Sequence, residues 1–524
     1  TQKTEYTYDL HGNIISTSCG YGDNFAEKAV TEYTYDRGAF LLSETHKGMT
    51  NSDNSSISNI TTSYTYDNIG NVLSTTDGNG NTTEYTYDKL GNVKTVVNPD
   101  DTTVIYDRDY EANTVTVTDE NNNSVKYVYA PLGQELKSVD VASGQVMLEK
   151  EYDAKLRLIS STDYKYGAET KYTYDESDRV TSETVYQDET ILSKTRYLYN
   201  IKTIDDENYT EVYKIELGED NPPELTRNEK SIYTKEYYDK AENLAAKTFQ
   251  SKVEQQYHNA VRYVTKEFTD TYTYDYIGRQ IEFLSASDKE KSIDYTEKTE
   301  YNENGKPTKI FNSLGQYTQN VYDELGRLVT AYDYAGTPTT YTYDNIDRLL
   351  TQTSTIENGV TSTIKYDYDG NGNIIRERHQ TNAVGEAAEW TKTEYAYDSR
   401  NRLTEVKQYD GNTLASTTSY TYDGVGNMLT STSGGKTISY TYDRFGNALS
   451  VTDALGQSET YNYSTLGKLL SKTDRNGVTT SYSYDALGRT ISICASSGTI
   501  TDVVRTTYTK TGRVHTEENN TQRT

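Results

Sequence analysis

Short runs in which Tyr alternates with Thr recur along the chain, and most of them end in Asp. Residues 82–88 read Thr-Thr-Glu-Tyr-Thr-Tyr-Asp. In an extended strand, Tyr85 and Tyr87 would lie on one face and Thr86 on the other. Alternation of β-branched and aromatic residues with a period of two predicts a β-strand.

The residues that follow each run have the composition of a tight turn. Asp88 can accept hydrogen bonds from backbone amides two or three residues later, and Gly91 tolerates the positive φ that a type I turn with a G1 bulge requires. Residues 93–97 then predict a return strand, so the motif predicts a β-hairpin. A second turn of D/N-x-x-G type closes each unit, as in residues 77–80, 312–315, 453–456 and 474–477.

The motif Tyr-x-Tyr-Asp-x-x-Gly-Asn/Arg recurs about once every twenty-one residues, which indicates a repeat architecture. It begins, with small departures, at Tyr6, Tyr33, Tyr64, Tyr85, Tyr172, Tyr272, Tyr341, Tyr395, Tyr420, Tyr440 and Tyr482. About forty strands at ~4.8 Å each would extend ~200 Å, and twist should coil a sheet of that length. We therefore predict an all-β fold, an antiparallel meander of hairpins in a curved or spiral single-layer sheet. It would form one continuous strip over residues 1–524, with longer hairpins or loops near 40–62 and 200–262.

The composition agrees with a thin sheet. Hydrophobic residues make up only 33% of the 524 residues, which is too little for a large dry core, yet 53 residues are Tyr. Disordered chains are poor in aromatic and β-branched residues, so this abundance of Tyr and Thr argues against disorder. Tyrosine pairs across strands while its hydroxyl stays hydrated, and it can hold together a half-solvated sheet.

The charge narrows the range of partners. A formal net charge of -27 argues against nucleic-acid binding and against attachment to anionic membranes. Two cysteines, Cys19 and Cys494, are too few for a disulfide framework or a cysteine-based metal site. No apolar run approaches the length of a membrane span.

These motifs resemble the YD repeats of the Rhs family, whose relatives include shell components of insecticidal toxin complexes, bacterial wall-associated proteins and teneurins. The resemblance covers nearly the whole chain and implies a β-strip that spirals into a hollow shell, which in several relatives encloses a C-terminal toxin or cargo. It implies that Tyr6, Tyr8, Asp9, Gly12, Asn13 and their equivalents build the wall. The Pro- and Asp-rich self-cleavage motif of full-length relatives is not found in this sequence, so autoproteolysis and toxicity are not expected of it. Because the sequence begins and ends inside repeats, we expect it to come from a longer protein.

No catalytic, cofactor-binding or metal-binding residue is predicted. Residues 367–374 match the opening of an EF-hand loop, but Arg378 occupies the twelfth position, where calcium needs a bidentate Glu. Turn chemistry is the better explanation there and in residues 77–81. The histidines are too scattered along the sequence for a zinc motif; they are His11, His46, His258, His379 and His515. Packing explains Trp390 better than ligand binding does. Most of the repeated aspartates are needed to form turns.

The sequence thus predicts a non-enzymatic scaffold. It would be a section of the shell of a secreted or cell-surface bacterial polymorphic-toxin-like protein. The Asn-, Lys- and Tyr-rich composition indicates a Gram-positive source. Its expected partner is an enclosed C-terminal toxin or cargo domain of the same polypeptide. The alternative is a surface adhesin that binds carbohydrate or protein, with contacts carried by residues 200–260. An enzyme that hydrolyses a polysaccharide ranks third.

Overall fold

A computed structural model describes residues 2–21, 29–37, 40–217, 232–257, 260–285, 295–356, 360–380, 390–498 and 500–523. All regular secondary structure within these residues is β-strand, and the 42 strands form one sheet. Each strand pairs antiparallel with the next in sequence, as in β1 with β2, β20 with β21 and β41 with β42. The predicted all-β meander of hairpins is confirmed. The continuity of the strip over residues 1–524 stays a prediction.

The first half of the strip contains β1 (Gln2–Tyr8), β2 (Ile14–Tyr21), β3 (Ala29–Tyr35), β4 (Leu41–Lys47), β5 (Ile60–Tyr66), β6 (Val72–Thr76), β7 (Thr82–Tyr87), β8 (Val93–Val97), β9 (Thr103–Asp109), β10 (Thr114–Thr118), β11 (Ser124–Tyr129), β12 (Glu135–Asp140), β13 (Val146–Tyr152), β14 (Leu158–Asp163), β15 (Ala168–Tyr174), β16 (Val180–Gln187), β17 (Thr190–Ile204), β18 (Glu207–Glu216), β19 (Ile232–Tyr238), β20 (Leu244–Tyr257) and β21 (Ala260–Tyr274). The second half contains β22 (Gln280–Ser285), β23 (Tyr295–Tyr301), β24 (Pro307–Phe311), β25 (Tyr317–Tyr322), β26 (Leu328–Tyr332), β27 (Pro338–Tyr343), β28 (Leu349–Thr355), β29 (Thr361–Tyr368), β30 (Ile374–Gln380), β31 (Trp390–Tyr397), β32 (Leu403–Asp410), β33 (Thr413–Tyr422), β34 (Met428–Ser433), β35 (Lys436–Tyr442), β36 (Ala448–Thr452), β37 (Ser458–Tyr463), β38 (Leu469–Thr473), β39 (Thr479–Tyr484), β40 (Thr490–Ser497), β41 (Ile500–Tyr508) and β42 (Val514–Arg523).

Where the structure describes them, the turns after the Tyr-x-Tyr strands have the predicted geometry. Between β7 and β8, the Gly91 amide donates to the Asp88 carbonyl at 3.1 Å, and Gly91 has a φ of 82°. The Asp88 carboxylate accepts from the Leu90 and Asn92 amides at 2.9 and 3.0 Å. Thr86 lies opposite Thr95 but Tyr87 lies opposite Val93, so a bulge leaves Lys94 without a cross-strand partner. The aspartate and glycine of the repeat are therefore fixed by turn chemistry.

The two faces of the strip carry different side-chain ladders. On one face, the second tyrosine of many motifs donates its hydroxyl to the first residue of the preceding return strand, as Tyr87 does to the Val72 carbonyl at 2.7 Å. Tyr422 makes the same bond to the Leu403 carbonyl at 2.7 Å. On the other face, hydroxyl groups pair across many of the hairpins, for example those of Thr421 and Thr430 at 2.7 Å. Tyrosine thus joins neighbouring hairpins, and threonine joins the two strands of one hairpin.

Longer hairpins interrupt the regular strip between β17 and β21. β17 and β18 meet at a two-residue turn, where Asp205 and Asp206 have φ values of 50° and 65°, as in a type I′ turn. Near the base of this hairpin, Ile215, Leu217 and Tyr233 form a buried cluster. Residues 218–231, within the region predicted to form longer hairpins or loops near 200–262, lie outside the described residues.

Candidate functional site

The strip winds back on itself, so that residues 280 to 326 positions apart in sequence come into contact. One edge of the strip carries the turns that follow Tyr-x-Tyr-Asp, here called the YD-turn edge. The opposite edge carries the turns that close each repeat, here called the return-turn edge. The return-turn edge of the first winding meets the YD-turn edge of the second winding along a line that we call the seam. At one of these contacts, the Asn345 Nδ2 atom donates to the Gly48 carbonyl at 2.8 Å.

At a second contact along the seam, the β6–β7 turn and the β29–β30 turn hold each other reciprocally. Asn79 donates its Nδ2 to Asp369 at 3.0 Å, and Asn371 donates its Nδ2 to Asp77 at 2.7 Å. The Gly370 amide donates to Asn79 Oδ1 at 2.7 Å. The backbones approach so closely that a Cβ added to Gly370 would lie 2.2 Å from the Gly78 carbonyl oxygen. We call this pair of turns the clasp.

A second contact of the same kind lies four strands further along both windings. Asn121 donates its Nδ2 to Asp423 at 2.9 Å, and the Gly424 amide donates to Asn121 Oδ1 at 3.0 Å. A Cβ on Gly424 would come within 2.8 Å of the Glu120 carbonyl oxygen. Burial tends to raise the pKa of Asp423, but hydrogen bonds from Asn427 and Asn121 outweigh it and lower the pKa. Both contacts use the same amide-to-carboxylate chemistry.

Ion pairs join the windings between and beyond these contacts. Arg402 lies 3.1 Å from Asp100, and Arg400 lies 2.8 Å from Glu120. Arg444 lies 2.7 Å from Asp140, whose side chain is only 3% exposed. In each of these pairs the first winding supplies the carboxylate and the second supplies the arginine. The seam therefore has a fixed polarity of charge.

Asp367, the first residue of the EF-hand-like segment, is a seam residue. Its carboxylate accepts from the Ser52 amide and hydroxyl at 3.0 and 2.7 Å, and Arg378 lies 3.1 Å from its other oxygen. The turn itself is built by Asp369, which accepts from the Asn371 and Asn373 amides at 2.9 Å. Asp367 is thus bonded across the seam and to Arg378, and Asp369 is bonded to its own turn. The two weak calcium candidates of the sequence, residues 77–81 and 367–374, meet each other across the seam.

The other residues considered from the sequence are not brought together. His46 contacts Thr31 at 3.1 Å, whereas His379 is at the end of β30 and His515 is on β42. The Lys365 ammonium lies 5.2 Å from the centre of the Trp390 ring. Within the described ranges, no group of three or more His, Cys, Asp and Glu side chains is placed to hold a metal ion. The part of the chain that the structure describes contains no helix long and apolar enough to cross a membrane.

Sequence reasoning identified the turn residues but missed the seam. A signal was present in the second turn position, where a Cβ added to Gly78, Gly370 or Gly424 would lie less than 3.0 Å from an atom of the other winding. Lys89 occupies the same turn position on the unpartnered part of the YD-turn edge and is exposed. Glycine at a site that needs no positive φ indicates a close approach, but the sequence does not say to what.

Comparison with family models gives two matches. The teneurin YD-shell model matches residues 379–523. The RHS repeat model matches residues 66–103 and 322–361. A search of curated proteins gives no match.

Two similar solved structures are the crystal structure of TcdB2-TccC3-Cdc42 and the structure of the Photorhabdus luminescens Tc holotoxin pore. The first is 16% identical and the second 15%, each with a TM-score of 0.41. Each alignment covers 98% of this chain and 32% of the other chain. The chain thus spans about a third of the length of these solved chains.

Proposed function

For this chain, a YD-repeat protein of the Rhs family, we propose a non-enzymatic structural role as one section of a shell wall that encloses cargo. The observation that carries the proposal is the seam. A sheet whose opposite edges bind each other forms a wall that can grow by winding, and polar groups of the turns at one edge bond to turns of the neighbouring winding. A wall of one layer needs no thick core, which fits the small number of buried apolar side chains.

The seam also sets the size of one winding. The turn after β6 meets the turn after β29, and the turn after β10 meets the turn after β33, so that 23 strands complete one winding. At ~4.8 Å per strand the circumference is about 110 Å, and the diameter between strand centres is about 35 Å. Side chains of both ladders occupy part of that width. The remaining space suits an unfolded or small folded segment better than a large domain.

The proposed cargo is a toxin or other domain of the same polypeptide, and the proposed location is outside the cell or at its surface. Support comes from the matches to the teneurin YD-shell and RHS repeat models, the family that the sequence motifs resemble. The Gram-positive source suggested by composition has no support in the comparisons and is not part of the proposal.

The test uses the full-length gene product, including whatever the gene encodes outside residues 1–524. We expect segments outside the strip to resist protease in the wild type and to be cleaved when the seam is opened by Gly370→Ala together with Gly424→Ala. Lys89→Ala, at the same turn position away from the seam, is the control and should leave protection intact. Equal cleavage in all three proteins, or a gene that encodes only more repeats, would reject cargo enclosure.

A further inference from the structure

The dipeptide Asn-Gly occurs four times within the residues that the structure describes. Each copy fills the third and fourth positions of a four-residue turn, where the glycine amide donates to the carbonyl of the first turn residue at 3.0 to 3.3 Å. The four asparagines are Asn79, Asn304, Asn371 and Asn476. Other turns carry Leu90, Val425 or Leu455 at the same position. Turn geometry alone therefore does not account for these asparagines.

Two of the four asparagines hold the clasp. The Nδ2 group of Asn79 donates to Asp369 at 3.0 Å, and that of Asn371 donates to Asp77 at 2.7 Å. The Asn371 Nδ2 group also donates to the Asn401 Oδ1 atom at 2.8 Å. In both turns an amide is thus the donor and a carboxylate across the seam is the acceptor. Conversion of either amide to a carboxylate would remove the donor and place two carboxylates in contact.

The other two asparagines have the same turn but no contact across the seam. Asn304 and Asn476 are exposed, and their backbone amides bond to the first residue of the turn as in the clasp, at 3.0 and 2.9 Å. Within the described ranges, neither side chain takes part in a hydrogen bond. The four Asn-Gly steps thus differ in whether the asparagine side chain is held.

Asn-Gly is the step at which asparagine loses ammonia most readily, because glycine has no side chain to block attack by its own amide. The Gly80 nitrogen attacks the Asn79 Cγ atom and forms an N–Cγ bond. The Cγ–Nδ2 bond breaks, and Nδ2 leaves as ammonia with the Gly80 amide proton. Water then opens the five-membered succinimide at either carbonyl and gives aspartate or isoaspartate. The net reaction consumes one water and yields a carboxylate and an ammonium ion.

We propose that Asn79-Gly80 and Asn371-Gly372 are deamidation sites whose conversion releases the clasp. The closed clasp slows the reaction, since attack requires the asparagine side chain to turn toward the next backbone nitrogen, and the bonds to Asp369 and Asp77 hold it away. Once either amide is converted, two carboxylates face each other and the contact does not form again. The clasp is therefore a bond between windings with a limited lifetime.

The Asn121–Asp423 contact lacks this chemistry. Asn121 makes the same amide-to-carboxylate bond at 2.9 Å, but the next residue is Asn122, whose side chain hinders attack by its own amide. Deamidation therefore opens the seam at the clasp and leaves the neighbouring contact closed.

Peptide mass spectrometry that separates aspartate from isoaspartate tests the chemistry, after incubation of residues 1–524 at mildly alkaline pH. We expect Asn79 and Asn371 to be converted roughly tenfold more slowly than Asn304 and Asn476, the effect of one or two hydrogen bonds. Gly370→Ala opens the clasp and should bring Asn79 and Asn371 to the rate of Asn304. Lys89→Ala is the control and should leave the rates as in the wild type.

Hydrogen exchange tests whether conversion releases the clasp. Asn371→Asp should accelerate exchange in the facing turn, residues 77–81, by roughly tenfold, because its donors to Asp77 and Asn401 are lost. Asn476→Asp makes the same change in a turn without a contact and should leave exchange along the seam unchanged.

Three results would overturn the proposal. These are equal conversion at all four Asn-Gly steps in the wild type, no conversion of Asn79 and Asn371 even in Gly370→Ala, and unchanged exchange of residues 77–81 in Asn371→Asp. Both measurements follow the seam and need no cargo, so their outcome is separate from that of the shell proposal.

Discussion

Replacement of Gly370 by Ala should open the clasp. The added Cβ would lie 2.2 Å from the Gly78 carbonyl oxygen, whereas ordinary contact begins at 3.4 Å, so the two backbones must separate by about 1 Å. Four hydrogen bonds of 2.7 to 3.2 Å cross this gap, and they cannot all persist. At about 0.5 kcal/mol each, the lower end of the range for partly exposed bonds, their loss costs about 2 kcal/mol. Gly370 needs no positive φ, so backbone strain adds nothing.

Hydrogen exchange followed by mass spectrometry measures this local opening. A loss of about 2 kcal/mol corresponds to roughly thirtyfold faster exchange where opening is limited to the seam. We expect faster exchange in peptides that cover 77–81 and 369–373. Gly424→Ala, whose Cβ would lie 2.8 Å from its nearest atoms, should open its own contact less, and Lys89→Ala should change neither. Unchanged exchange in Gly370→Ala, or the same acceleration in Lys89→Ala, would refute the close approach.

Three further predictions concern the ladders and the charges. Tyr422→Phe should lower the free energy of unfolding in urea by about 0.5–1.5 kcal/mol, because the hydrogen bond from its hydroxyl is lost. Tyr420→Phe should have a smaller effect. Equal losses in the two variants would contradict the claim that the second tyrosine of the motif joins neighbouring hairpins. Burial raises the pKa of Tyr368 to about 12. Because the neutral form is the one favoured by folding, its contribution should be complete below pH ~10 and lost as the pH rises through the folded pKa. A titration of tyrosinate absorbance in Tyr368→Phe should show a smaller late step, because the pKa values of Tyr238 and Tyr461 are also raised to about 12. Arg400→Ala should destabilise the seam by about 1.5–3 kcal/mol in urea, and Arg475→Ala, whose partner Asp453 is 3.6 Å away, should cost less than about 1 kcal/mol.

The local structure could be predicted because each hairpin is specified by its own residues. Asp88 and Gly91 fix the turn through bonds within five residues, and the Tyr-Thr alternation fixes the strands on either side. Neither depends on the rest of the chain. The same reasoning held for the return turns, where the Gly80, Gly456 and Gly477 amides bond to the aspartate at the start of the turn at 3.0 Å.

The seam could not be predicted because it depends on the curvature of the whole strip. Small twists at each of 23 strands add up before Asn79 meets Asn371, and no local pattern gives their sum. Asp367 shows the consequence. In sequence it is one more acidic residue in a repeat, but it is 2% exposed because Ser52 of the other winding covers it.

The central claim is that the two edges of the strip meet, and a distance measurement tests it most directly. Spin labels at Lys126→Cys and Thr421→Cys, both exposed and on strands flanking the Asn121–Asp423 contact, would be placed in a chain whose Cys19 and Cys494 are replaced by Ser. The wound strip predicts a distance of about 20–30 Å by double electron–electron resonance, since each label lies only a few residues from the contact. An unwound strip would place the labels 22 strands, or about 105 Å, apart and give no short distance, which would contradict the account.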